Sequence, residues 1–408
     1  MGARTRVAVT GMGVRTPAGH QLKELWDTLV TGRSTARTIS ALLTDGLPVT
    51  FACQVNDPAW EEHVSVRHAR RMDRVSLLAA SAAADAVADA DGLPAPPERR
   101  AVVAGTALAG NNTREQALLG HAPQGAPTPL SVPMSMHHAA TAWITMLHQI
   151  AGPSITLSTG CASGSHAIGE GLRLLRDGSA DVVVAGGGEA CITPNILMSL
   201  HRCRALSTRA TDPERASRPF DVGRDGFVLG EGAAFVVLER LDDAVRRGAR
   251  VYAELAGYGR TSDAHHLVVP HPQGDGAERC MRQALADARL SPGEVTHVNA
   301  HGTGSQLSDL AEAQAIARVF GPRQVPVTST KSVTGHALGA AGAIEAVVGV
   351  LTLVERTVHP TANLQTLDPR CDIDVARSPR PLEPGAVVSN SFAFGGHNAS
   401  LVLTPYGP

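Results

Sequence analysis

Short valine-rich runs bounded by glycine recur along this chain, at residues 6–9, 101–104, 154–157, 181–185, 234–238, 252–256, 295–299, 325–328, 387–389 and 400–403. Runs this short and apolar read as strands buried on both faces, because a half-solvated strand alternates polar and apolar positions. Between them lie segments with helical spacing at 74–90, 165–177, 277–288, 310–320 and 341–355. Such alternation predicts an α/β fold with mainly parallel sheets covered by helices on both faces. At 408 residues the chain exceeds what one core usually serves. Two halves are therefore expected. The first is 1–241, which closes on the strand near 234–238, and the second is 242–408, which opens on the strand near 252. Segments 107–130 and 205–230 carry no period and read as long irregular loops, of the kind that bind ligands or act as lids.

Charge and hydropathy remove several function classes. A formal net charge of −2 gives no overall attraction to nucleic acid or to an anionic membrane surface. The most apolar run, 346–354, falls well short of the roughly 18 residues that a membrane span needs. The first residues lack the apolar stretch of a signal peptide, so a soluble cytoplasmic protein is expected. Six cysteines (Cys53, Cys161, Cys191, Cys203, Cys280 and Cys371) include no C-x-x-C pair, so no zinc site is expected.

One cysteine has unusual neighbours. Ser158-Thr159-Gly160-Cys161-Ala162-Ser163-Gly164-Ser165 follows an apolar strand and precedes a helical pattern. Cys161 is thus expected at a strand–turn–helix elbow, near a helix N-terminus whose free N–H groups and dipole favour a thiolate and lower the thiol pKa. Its own N–H is placed to help hold an oxyanion. Local sequence leaves a second reading open, an inert core thiol. For Cys53, Cys191, Cys203, Cys280 and Cys371 that second reading is preferred.

Two histidines sit in glycine- and hydroxyl-rich turns directly after predicted strands. His301 lies in Asn299-Ala300-His301-Gly302-Thr303-Gly304-Ser305, and His336 in Thr330-Lys331-Ser332-Val333-Thr334-Gly335-His336. The C-terminal ends of parallel strands are where such folds place their active sites. The remaining histidines, His121 among them, read as ordinary polar residues. Only two of the 36 basic residues are lysines, Lys23 and Lys331. A lysine kept beside His336 suggests a crowded site that takes a compact point charge. Glu345, on the following helix, is a candidate partner for it. Near the C-terminus, Asn390-Ser391-Phe392-Ala393-Phe394-Gly395-Gly396-His397-Asn398 joins two apolar strands. This turn reads either as a gate whose N–H groups donate to an oxyanion or as a tight hairpin with core aromatics.

Taken together these segments resemble the elongating β-ketoacyl-acyl-carrier-protein synthases of type II fatty-acid synthesis. The resemblance begins at Val7-Ala8-Val9-Thr10-Gly11-Met12-Gly13 and ends at Asn398-Ala399-Ser400-Leu401. It includes Ala205-Leu206-Ser207-Thr208, Ser217-Arg218-Pro219-Phe220-Asp221 and Arg224-Asp225-Gly226-Phe227-Val228-Leu229-Gly230-Glu231-Gly232. The resemblance implies a thiolase-like fold, two similar halves in α-β-α-β-α layers, within a homodimer or a heterodimer with a chain-length-factor-like ketosynthase. It implies that Cys161 accepts the acyl group, and that His301 and His336 bind the malonyl thioester and promote decarboxylation. Lys331 and Glu345 would support that pair. Phe394 and Phe392 would form the gate, with the Phe394 N–H completing an oxyanion hole with that of Cys161. Thr303 and Ser305 would hold the phosphopantetheine arm of an acyl carrier protein. No metal or redox cofactor is implied.

Four positions depart from the family pattern. Ala393 replaces a usual Gly, His397 a usual Thr and Ser305 a common Thr, while Leu200 stands where a Phe often lines the acyl pocket. These bear on acyl length, not on the reaction. A polyketide or polyene ketosynthase would carry the same residues. A non-catalytic partner subunit typically lacks the cysteine, a degradative thiolase needs a second one near the C-terminus, and an initiating ketosynthase is expected to carry Asn in place of His336.

Overall fold

The computed structural model describes residues 4–40, 46–56, 59–119 and 128–407. Its centre is a run of eleven strands. In chain order these are β1 (Val7–Arg15), β2 (Arg100–Gly105), β3 (Ser154–Leu157), β4 (Val182–Glu189), β5 (Gly232–Arg240) and β6 (Ala253–Ser262). They continue with β7 (Val295–Asn299), β8 (Pro326–Thr328), β9 (Asp374–Val375), β10 (Ala386–Phe392) and β11 (His397–Thr404). The spatial order is β3-β2-β4-β5-β1-β6-β11-β10-β7-β8-β9.

That order contains an internal repeat. In the first half β2 runs parallel to β3 and β4, while β5 runs antiparallel to β4 and β1. In the second half β7 runs parallel to β8 and β10, while β11 runs antiparallel to β10 and β6. Strands β6, β11, β10, β7 and β8 thus reproduce β1, β5, β4, β2 and β3. The halves meet where β1 pairs with β6 through Ala8–Glu254 and Val9–Ala253. Mainly parallel sheets were expected and a mixed sheet is found. The short turn between β10 and β11 permits only an antiparallel partner.

Five helices complete the layering: α1 (Arg74–Asp89), α2 (Ser163–Arg176), α3 (Asp275–Ala288), α4 (Gln306–Phe320) and α5 (Ala341–Val354). Helix α1 covers β1, β4 and β5, and α3 covers β6 and β11. Between the sheets α2 and α5 pack on each other, α2 against β2 and β4 and α5 against β5 and β10. This is the α-β-α-β-α arrangement. Helix α5 is apolar apart from Glu345 and Thr352, and every residue from Ala341 to Leu353 is buried, as a middle layer requires.

Strands β1 and β6 run past the ends expected for them because glycine there marks packing, not a break. A Cβ on Gly11 or Gly13 would lie 2.2 or 2.1 Å from a carbonyl oxygen of α1. On Gly257 or Gly259 it would lie 2.3 or 2.1 Å from one of α3. The missing side chains let each outer helix lie directly on its sheet. Segment 107–130 was expected to be irregular throughout, yet Asn111–Leu118 is helical. Residues 120–127, with His121, lie outside the described residues. Segment 205–230 is irregular apart from one short helical turn at Pro213–Arg215. Among the described residues no helix is long and apolar enough to cross a membrane.

Candidate active site

Strand β3 ends at Leu157, and the chain turns through Gly160, whose φ of 58° is left-handed, into α2. The Thr159 N–H donates to the Ser163 hydroxyl at 2.9 Å, and that hydroxyl donates to the Gly160 carbonyl at 2.6 Å. The elbow is therefore closed by its own serine. Cys161 sits immediately before the capping residue Ala162 and is buried. A Cβ on Gly160 would lie 3.2 Å from the Ala393 methyl, so the glycine lets the C-terminal turn close over the thiol. The Phe394 N–H is near enough to the sulfur to favour its anion.

The expected lowering of the thiol pKa is not found. Burial pushes Cys161 up to about 11, outweighing Lys331 and the Phe394 N–H, which pull it down. Removing water from around an anion costs more here than the nearby ammonium and N–H groups return.

His301 follows β7. Its N–H and that of Gly302 donate to the two oxygens of Glu312 at 2.8 Å each, and the Ser329 hydroxyl donates to the Gly302 carbonyl at 2.6 Å. His336 follows β8 and the helical turn Lys331–Thr334, and its N–H donates to the Val228 carbonyl at 2.8 Å. The two imidazoles meet edge to face with centroids 5.3 Å apart, and Phe227 lies 5.0 Å from His336 on another side. Burial, reinforced by Lys331, holds both well below the usual histidine range, so both rings are neutral at pH 7. A neutral ring offers one N–H donor and one bare nitrogen.

Lys331 Nζ lies 2.5 Å from Glu345 Oε1, as the pairing of these residues anticipated. Burial pushes Glu345 up to about 7 against the pull of the ammonium. Both side chains lie behind the site.

A cavity of about 620 Å³ gathers Cys161, His301, His336, Thr303, Ser305, Phe392 and Phe394. Residues from both halves and from the C-terminal turn thus share one space. The Thr303 hydroxyl donates to that of Ser305 at 3.1 Å. Leu200 does not line this cavity. It packs partly buried in the apolar cluster that contains Cys161.

Three residues at the site were missed from sequence. Glu312 carries the His301 turn, Phe227 edges His336, and Cys203 stands exposed on the cavity wall instead of buried as expected. Glu312 did leave a trace, an acid among Ala311, Ala313 and Ile316 on the buried side of α4. Cys203 ends a helix in a turn to the surface, which composition does not reveal.

Two stacked α/β halves closing on a cysteine and two histidines define a thiolase-fold condensing enzyme, of the acyltransferase class. The family model for the β-ketoacyl synthase N-terminal domain matches residues 4–244, and that for the C-terminal domain matches 252–365. The chain belongs to the β-ketoacyl synthase family. It is 39% identical to 3-oxoacyl-[acyl-carrier-protein] synthase 2 of Staphylococcus aureus strain COL, over 100% of both chains. Identity to the protein of the same name from Coxiella burnetii is also 39%, over 98% of this chain and 99% of that one. Among solved structures, a β-ketoacyl synthase from Burkholderia phymatum superposes with a TM-score of 0.91 at 34% identity, covering 99% of this chain and 100% of that one. The ishigamide ketosynthase/chain length factor superposes at 0.90 with 34% identity and the same coverage. A type II PKS acyl-carrier protein in complex with its ketosynthase (AntDE:AntF) gives 0.90 at 31% identity, again with that coverage.

Proposed function

We propose that the chain extends an acyl group held on Cys161 by condensation with a malonyl unit carried on an acyl carrier protein, giving a 3-oxoacyl thioester. One observation carries this reading: Cys161, His301 and His336 converge on a single cavity.

The chemistry follows from the residues. The Cys161 sulfur attacks the acyl thioester carbonyl, its proton leaves with the carrier's thiol, and a new thioester forms on Cys161. Malonyl thioester then places its carbonyl oxygen against N–H groups of His301 and His336. Its C–C bond to the carboxylate breaks, CO2 leaves, and the electron pair becomes an enolate held by those donors. The enolate carbon attacks the Cys161 thioester. The tetrahedral oxyanion accepts from the N–H groups of Cys161 and Phe394, the C–S bond breaks, and the sulfur takes up a proton. Thr303 and Ser305 hold the pantetheine arm, Phe392 and Phe394 gate the cavity, and Lys331 with Glu345 tunes the charge behind the histidines. Every step uses protein groups alone.

The carrier as partner is supported by the names of the relatives and by the ketosynthase complex. Association through the free edge of the sheet is supported by β3 at its end and by the exposed apolar side chains Leu118, Leu130, Val132, Met136 and Met146 nearby in sequence. A homodimer is the first reading, and a heterodimer with a chain-length-factor-like subunit, as the name of the ishigamide structure describes, is the second. Fatty-acid and polyketide pathways use the same site. Leu200, on the cluster around Cys161, is proposed to set acyl length.

Incubation with acyl carrier protein loaded with short and long acyl groups, followed by malonyl carrier protein, tests the reading. A covalent acyl adduct and a 3-oxoacyl product are expected. An unmodified protein that forms no product refutes it.

A further inference from the structure

Near the cavity the two halves touch backbone to backbone at several places, Val228 and Gly230 against His336 among them, and a buried carboxylate sits at another. Glu189 ends β4 with no exposed surface. It accepts the Ala107 N–H at 2.7 Å, and the Leu108 N–H and Thr106 hydroxyl at 3.3 Å, all from the loop after β2 in the first half. It also accepts the Gly339 N–H of the second half at 3.2 Å.

Each end of this bridge leads to the reacting groups. On one side, the Ser158 hydroxyl of the Cys161 elbow donates to the Ala107 carbonyl at 3.3 Å. On the other, Gly339 is three residues past His336 and next to Leu338, which lines the cavity with a left-handed φ of 39°. A left-handed leucine persists only where its surroundings over-determine it. The contact is too close for side chains to cushion. A Cβ on Gly339 would lie 2.3 Å from the Ala107 nitrogen, and one on Gly164 2.7 Å from the Ala343 nitrogen. At this contact no side chains interdigitate, so hydrogen bonds hold it. Glu189 does not line the cavity and has no part in the steps described above.

We propose that Glu189 is a positioning residue that clamps the Cys161 elbow of the first half to the His336 turn of the second, and so aligns the acyl thioester with the carbon nucleophile. The inference rests on the proposed roles of Cys161 and the two histidines. It makes a distinctive demand. Acylation needs Cys161 and the turn over it, and decarboxylation needs His301 and His336, both in the second half. Acylation also spans the halves, but through the C-terminal turn, so only carbon–carbon bond formation needs the Cys161 elbow in register with the His336 turn.

The test compares Glu189→Gln with the unaltered full chain in three assays, each run below the variant's melting temperature. These are acylation of Cys161 by acyl carrier protein, CO2 release from malonyl carrier protein without an acyl donor, and 3-oxoacyl formation. Gln presents an amide NH2 to N–H donors and breaks part of the clamp while filling the same space. Since a misplacement of about 1 Å costs about 100-fold, 3-oxoacyl formation should fall about 100-fold while both partial reactions stay within about threefold. If Glu189→Gln does not fold, Glu189→Asp decides, because it keeps the charge but cannot span both sides. Unchanged 3-oxoacyl formation, or a loss that only mirrors one partial reaction, overturns the clamp. Absence of acylation in the unaltered protein would instead overturn the reading of Cys161.

Discussion

Lys331 Nζ stands 2.5 Å from Glu345 Oε1, with both side chains almost wholly out of solvent. The ammonium acts in two directions, lowering the thiol pKa of Cys161 and disfavouring protonation of His301 and His336. Lys331→Met removes one partner of a buried pair, which typically costs about 3–5 kcal/mol. It should lower the melting temperature and shift the pH profile of Cys161 alkylation to higher pH. An unshifted profile would show that the charge does not reach the thiol.

Cys161→Ala should give no acyl adduct by intact mass after exposure to acyl carrier protein. Cys203, exposed on the cavity wall, is the competing thiol, so the comparison belongs in a Cys203→Ser background. An adduct that survives in the double variant would exclude Cys161 as the acyl acceptor.

His301→Ala and His336→Ala each remove one donor facing the developing enolate. Loss of one such donor typically costs about 100- to 1,000-fold. CO2 release from malonyl carrier protein should fall by that order, while acylation of Cys161 persists. Equal loss in both assays would point to collapse of the site instead.

Leu200→Phe adds bulk beside the cluster around Cys161. Discrimination in an apolar pocket is worth about 1–3 kcal/mol, or about 10- to 200-fold. Turnover of long acyl groups should drop relative to short ones. A uniform change across chain lengths would separate Leu200 from the acyl pocket.

Acid should destabilise the protein through buried imidazoles that do not line the cavity. His359 is wholly buried, its Nδ1 3.0 Å from the Pro360 carbonyl and its Nε2 3.1 Å from the Thr328 hydroxyl, which also meets His297 at 2.9 Å. Burial lowers His359 from 6.5 to about 4. Because the folded state resists protonation, this stabilisation is complete above pH 6.5 and is lost as pH falls towards 4. A full loss over that range corresponds to about 3 kcal/mol. The melting temperature should fall between pH 7 and pH 5, and His359→Gln should reduce that slope. An equal slope in the variant would assign the acid sensitivity elsewhere.

The elements around the site were legible in the sequence because their signals are local. Valine runs mark β2, β4 and β7, a small-residue elbow marks Cys161, and glycine–hydroxyl turns mark His301 and His336. Boundaries were less legible. Glycines in β1 and β6 look like breaks until the helices lying on them are seen. Helix Asn111–Leu118 has little apolar periodicity to reveal it, with only Glu115 buried.

By itself the sequence determined which residues could do chemistry and which backbone each would ride on, since strand, elbow and turn propensities act over a few neighbours. Tertiary structure decided what those residues become. Desolvation, a property of surroundings, reversed the expected shift at Cys161 and kept both histidines neutral. The backbone contact around Glu189 depends on segments remote in sequence, so only packing of the two halves could bring it together.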